Sequence, residues 1–224
     1  MKITFLGQAG LLFETKDKMI VIDPYLSNSV EKINFKNYRR QKIDERYLNI
    51  KPDILIFTHN HLDHYDEETV KHYLREDSKI LVLCPLSVWK EVRKSGGDNN
   101  YVLFNAGTQW SEDDIVFHAV KAEHSDNYAI GVIISAEGKN YYITGDTLYN
   151  ENVFHTITKK IYALFLPING VGNNMNVVDA KKFAERVQAE KVIPLHFGLF
   201  DSLTGEELDL NNKVIPTIYK EIKL

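Results

Sequence analysis

The stretch Asp53-Ile54-Leu55-Ile56-Phe57-Thr58-His59-Asn60-His61-Leu62-Asp63-His64 decides how this chain is read. Its first half is a short apolar run of strand-forming residues. Its second half places four metal-ligating side chains within six residues. Only eight histidines occur in 224 residues, so chance does not crowd them this way. In extended chain, residues i and i+2 face the same side, which lets His59 and His61 reach one ion together. The turn toward a helix over 66–76 can then aim Asp63 and His64 at a second position. A lone histidine here reads as a packed or capping residue, whereas four donors at this spacing read as a metal site.

Working outward, three further donors follow strand-like runs. His124 comes after 115–122, Asp146 after 140–144 and a glycine, and His196 after 191–195. Singly they are a polar cap, a turn aspartate and a loop histidine. Together they complete a pattern. His59, His61 and His124 offer one ion three neutral nitrogens and an open position, the arrangement of a catalytic rather than a sealed structural site. Asp63, His64 and His196 serve a second ion, with one Asp146 oxygen given to each, and Asp63, His64 and Asp146 stand closest to the chemistry. Gly145 lets the backbone approach the ions. Asp23 either holds a ligand histidine from behind or only shapes the Asp23-Pro24 turn. His72, His118 and His155 read as structural or solvated.

Runs at 2–6, 10–14, 19–22, 54–58, 80–84, 115–122, 128–135, 140–144, 163–166 and 191–195 read as strands. Helical periodicity appears over 66–76, 86–94 and 177–189, the last with Asn176 as N-cap. Two β-rich halves emerge, each opening with a hairpin (9–23 and 130–144) and each containing an apolar strand that runs into a histidine, His59 or His196. Stacked sheet on sheet with helices outside, they leave a cleft where those strand ends meet. The polar segment 31–47, with Arg39, Arg40 and Lys42, reads as a solvated helix or loop, or as a lid over the cleft.

The net charge of −4 and pI near 6.1 exclude a strongly basic nucleic-acid binder. Cys84 is the only cysteine, which excludes an internal disulfide and a thiolate cluster within one chain; its apolar surroundings mark it as packed. No run approaches the roughly 20 apolar residues of a membrane span, and no secretion signal is visible. The expectation is a single domain over 1–224, cytoplasmic, acting on a small molecule with no nucleic-acid or membrane partner; a homo-oligomer stays open.

The set His59-x-His61-x-Asp63-His64, His124, Thr144-Gly145-Asp146 and His196 resembles the metallo-β-lactamase superfamily of dinuclear hydrolases in order and strand context, over essentially the whole chain. The resemblance implies an α+β fold, a four-layer αββα sandwich with two divalent ions between the sheets: zinc first, manganese or iron also suiting nitrogen and oxygen ligands. Asp23-Pro24-Tyr25, 166–170 and 172–176 further resemble the subgroup of L-ascorbate-6-phosphate lactonase. His61 stands where flavodiiron oxidoreductases carry a carboxylate, and no flavin domain follows, which disfavours redox chemistry. The implied function is attack by a metal-bound hydroxide on a small anionic ester or lactone, such as a sugar phosphate lactone. A phosphodiesterase or nuclease with the same site is the alternative, weakened by the acidic pI. For substrate binding the candidates are Asn169, Gly170, Asn173, Asn174 and Asn176, where the 177–189 helix begins and its first amides offer an anion site.

Overall fold

Strands such as Leu11-Leu12-Phe13 and Ile54-Leu55-Ile56 are apolar at consecutive positions, so the sheets they form need cover on both faces. The computed structural model, which describes residues 1–224, supplies that cover as four layers. The first sheet holds β1 (Lys2–Gly7), β2 (Gly10–Glu14), β3 (Met19–Ile22), β4 (Ile54–Ile56), β5 (Leu81–Cys84) and β6 (Asn100–Leu103) in that order. β1 to β3 form an antiparallel meander, and β3 to β6 run parallel. The second sheet holds β7 (Gln109–Glu112), β8 (Ile115–Lys121), β9 (Ile130–Ala136), β10 (Lys139–Ile143), β11 (Ala163–Pro167) and β12 (Lys191–Leu195), also in sequence order across the sheet. β7 to β10 are antiparallel, and β10 to β12 run parallel.

The inner faces share one core, in which Phe5, Phe13 and Ile56 of one sheet meet Phe117, Val132 and Phe165 of the other. Phe13 sits edge-on to both Tyr141 and Phe165, with ring centroids 5.9 and 5.8 Å away, contacts of about 0.5–1.5 kcal/mol each beyond the buried area. Outside the first sheet, Val21, Leu55 and Val82 pack under α2 (Glu67–Tyr73) and α3 (Leu86–Val92). Outside the second, Tyr142, Leu164 and Val192 pack under α5 (Val177–Val187), through Ala180, Phe183 and Ala184. This is the αββα sandwich read from the sequence. No helix is long and apolar enough to cross a membrane.

Two strands and two short helices escaped the sequence reading. β6 and β7 are the solvated edges of their sheets, and Asn100-Tyr101-Val102-Leu103 and Gln109-Trp110-Ser111-Glu112 carry the polar character edges need to avoid pairing with other chains. α1 (Ser29–Ile33) and α4 (Glu151–Phe154) are too short to show a period. The other two edges are covered by the C-terminal segment: Phe5 N and Ile3 O of β1 bond Lys220 O and Ile222 N, and Val192 of β12 bonds Asn212 and Val214. The helix read over 66–76 closes at Tyr73, where Leu74 leaves helical geometry.

The internal repeat needs one correction. The hairpins β2–β3 and β9–β10 do correspond, each joining an antiparallel pair to the parallel part of its sheet. The histidine-bearing strands do not. β4 is the first parallel neighbour of β3, and its counterpart beside β10 is β11; β12 lies one strand further out and matches β5. The segment 31–47 runs from the end of α1 into a 3-10 turn at Glu45–Leu48. It is strapped down by Arg39, whose guanidinium donates to Tyr25 O (2.9 Å) and Tyr219 Oη (3.0 Å), and by Arg40 N, which donates to Leu199 O (2.9 Å) just beyond His196.

Candidate metal centre

In sheets with parallel strands, ligands collect beyond the carboxyl ends, where side chains from several strands converge. Here β1, β3, β4, β8, β10, β11 and β12 all deliver polar residues to that end: Gln8, Asp23, Thr58 to His64, His124, Asp146, Asn169 and His196. Two groups of donor atoms result. One is His59, His61, His124 and Asp146, the other Asp63, His64 and His196, and within each group the atoms lie within 4.8 Å of one another. His72, His118 and His155 join neither group.

Asp146 stands between the two. Its Oδ2 is 3.9 Å from both His59 Nε2 and His124 Nε2, and its Oδ1 is 3.2 Å from His64 Nε2 and 2.9 Å from His196 Nε2. His124 Nε2 and His61 Nδ1 are 3.1 Å apart, and His64 Nε2 and His196 Nε2 are 2.9 Å apart. Gly145 makes this placement possible. Its φ of +61° suits glycine, and a Cβ there would meet Ile130 O at 2.6 Å and Thr58 Cβ at 2.9 Å.

The outer nitrogens of three rings are held by acceptors, which turns the inner ones toward the centre. Asp23 Oδ2 accepts from His64 Nδ1 (2.8 Å) and from Thr58 Oγ1 (2.5 Å), while Asp23 Oδ1 accepts from Thr58 N (2.8 Å). Because the Thr58 hydroxyl spends its proton on Asp23, it accepts from His59 Nδ1 at 3.0 Å. Asn173 O accepts from His124 Nδ1 at 3.2 Å. His61 turns the other way, its Nε2 meeting Ser125 Oγ at 3.2 Å and its Nδ1 facing inward. Asp126 ties the neighbouring loops together by accepting from Asn60 N and Ser87 Oγ.

His59 Nε2 and Asp146 Oδ1 are buried and lack any partner in hydrogen-bond geometry. A buried lone pair with nothing to accept is costly, and a divalent cation relieves that cost for nitrogen and carboxylate donors alike, so the donor set fits a metal. Electrostatics without an ion agree. Burial and the neighbouring His64 hold His59 well below the ordinary histidine pKa. Burial also lowers His124. For His64, burial pulls downward but the Asp146 and Asp23 carboxylates outweigh it, and its pKa stands well above the usual value. For Asp146, burial pushes upward but His196 and His64 prevail and hold it well below the carboxylate range.

The asparagine-rich loop serves this centre more than the helix behind it. Asn174 Nδ2 donates to Asp146 Oδ2 (2.8 Å), Asn173 braces His124 through its carbonyl, and Asn169 Nδ2 lies 3.3 Å from His196 Nδ1. Asn176 caps α5, accepting from Asp179 N at 3.0 Å, so its side chain already occupies the helix terminus read from the sequence as an anion site. Gly170 bends the loop at φ +66°, and Gly170 to Asn173 form its exposed tip. Sequence reasoning missed Gln8 and Thr58. The one available signal was a polar side chain interrupting an apolar run just where a strand ends.

Donors delivered by both sheets to one rim define a metallo-β-lactamase-type hydrolase centre. The beta-lactamase superfamily domain matches residues 2–196, and the chain belongs to that family of metal-dependent hydrolases. It is 29% identical to a UPF0173 metal-dependent hydrolase of Korarchaeum cryptofilum, covering 94% of this chain and 89% of that one. It is 30% identical to another of Flavobacterium johnsoniae, covering 89% and 86%. In fold it is similar to a metallo hydrolase of the hyperthermophilic archaeon Ignicoccus hospitalis, with a TM-score of 0.77 at 21% identity over 99% of this chain and 97% of that one. The protein is therefore an enzyme, a metal-dependent hydrolase.

Proposed function

We propose that His59, His61 and His124 hold one divalent ion, that Asp63, His64 and His196 hold a second, and that Asp146 serves both, in a hydrolase of small anionic esters or lactones. The observation that carries this is the position of Asp146, one oxygen turned to each group. Bound divalent ions supply Lewis acidity and a water acidified to near pH 7, zinc being the first expectation and manganese or iron alternatives. The chain's own residues do the positioning. Asp23 and Thr58 fix the rings of His59 and His64, Asn173 fixes His124, and Asn174 orients the shared carboxylate. Asp63, the carboxylate of the set with solvent access, would take up or hand on a proton at the reacting centre.

No Lys or Arg occurs in 59–64, 124–128, 145–149, 169–176 or 196–201. Positive charge at the centre then comes from the ions, which favours a small anion over a polyanionic nucleic acid. The lactone, and a sugar phosphate lactone in particular, comes from the resemblance of Asp23-Pro24-Tyr25 and the 166–176 segment. Elemental analysis of freshly purified protein should give two ions per chain. With zinc or manganese restored, a lactone panel should be hydrolysed faster than bis-p-nitrophenyl phosphate. Phosphodiester turnover without lactone turnover overturns the substrate assignment, and an absence of bound metal overturns the centre.

A further inference from the structure

Gln8 sits buried at the end of β1 with φ +54° and touches two candidate ligands from opposite halves of the chain. Its Nε2 lies 2.8 Å from Asp63 Oδ2 and 3.0 Å from His196 Nδ1, and its carbonyl accepts from His196 N at 2.8 Å. The carboxylate fixes the amide's orientation, because an amide oxygen at that distance from a carboxylate oxygen would be repelled. The same NH2 group therefore meets His196 Nδ1, and the Asn169 NH2 meets it at 3.3 Å. An amide nitrogen donates and does not accept. As they stand, the two amides therefore offer His196 Nδ1 no acceptor, while its Nε2 faces Asp146 Oδ1 and His64 Nε2. At His59 and His124 the arrangement is reversed, with acceptors outside and bare nitrogens inside.

We propose that Gln8 is a positioning residue that makes the Asp63–His64–His196 group the weaker of the two metal positions. This rests on the dinuclear reading above. Gln8 holds Asp63 and His196 in register, yet presents a donor where a metal-binding histidine needs an acceptor. An ion taking His196 Nε2 leaves the ring proton on Nδ1, where neither amide as it stands accepts it. The Asn169 amide must then turn its oxygen toward that proton; Asn169 Oδ1 is otherwise engaged only by Val171 N at 3.4 Å. The group containing His59, His61 and His124 needs no such rearrangement and fills first.

The test is a zinc titration of the metal-free full chain against a competing chelator, repeated with cobalt(II), whose absorption tells a position with three histidines from one with two histidines and a further carboxylate. The wild-type chain should show two steps at least tenfold apart. Gln8→Glu, which offers His196 Nδ1 an acceptor, should tighten the weaker step tenfold or more and leave the stronger within twofold. Asn169→Asp offers the same acceptor from the other side and should move the same step, which keeps the test alive should Gln8→Glu fail to fold. Equal steps in the wild type, or a weaker step that neither variant moves, overturn the role of Gln8. Uptake of fewer than two ions by the wild type, seen before any substitution, overturns the dinuclear reading and this inference with it.

Discussion

Asp23→Asn isolates the support behind the centre from the centre itself. The side chain is fully buried and its two oxygens accept from Thr58 N, Thr58 Oγ1 and His64 Nδ1 at 2.8, 2.5 and 2.8 Å. Asparagine keeps the size of aspartate and tolerates the φ of +43°, so backbone strain is not the issue. It keeps only one oxygen. Placed toward His64, that oxygen leaves an NH2 facing Thr58 N–H in a buried pocket; placed toward Thr58, it leaves the NH2 facing His64 Nδ1 and drives that ring's proton inward, onto the nitrogen needed for metal. The first arrangement loses a charge-assisted bond, about 1.5–3 kcal/mol of stability. The second costs metal affinity about 10–100-fold, the usual range for a lost support of a ligand histidine. Denaturant unfolding of the metal-free chain and zinc competition with a chelator measure the two directly. A variant within twofold of wild type in affinity and within about 0.5 kcal/mol in stability would refute the role of Asp23.

Asp146→Ala should reduce bound metal from both groups at once, whereas His196→Ala should spare the group containing His59; equal loss in the two variants, measured by elemental analysis, contradicts the shared carboxylate. Gly145→Ala should destabilise the fold by at least about 2 kcal/mol in a denaturant melt, because alanine meets both a left-handed φ and the Ile130 carbonyl. The metal-free chain should be most stable near pH 6.5, about the unfolded histidine pKa. Above it, the raised His64 keeps a proton the unfolded chain has lost, and its contribution disappears as pH rises through the folded value. Below it, the unfolded chain protonates while buried His59 and His124 resist, so stability falls again. Melts in EDTA across pH 5–9 that rise or fall monotonically would show these assignments to be wrong.

The parallel strands and the candidate ligands were legible for the same reason. β4, β10, β11 and β12 are buried on both faces and write themselves as apolar runs, and the chemistry-bearing residues stand immediately after such runs. β6 and β7 were illegible because an edge strand is half solvent and its sequence looks like loop. The 31–47 segment carries no period, and its anchoring by Arg39 depends on the backbone of Tyr25 and on Tyr219, which lies far away in sequence. The asparagines of 169–176 were singled out, but their partners were not, since only the folded chain brings Asn174 to Asp146. Gln8 shows only as a polar residue at a strand end, and nothing near it in sequence hints at Asp63 or His196.

Neither half of the chain carries a complete donor group. His59 and His61 come from the first sheet's loops and need His124 and Asp146 from the second; Asp63 and His64 likewise need His196. Every ion seated at the rim would therefore rivet one sheet to the other. Cargo for chemistry would double as mechanical fastening, and removing it should loosen the seam between the halves before either sheet comes apart.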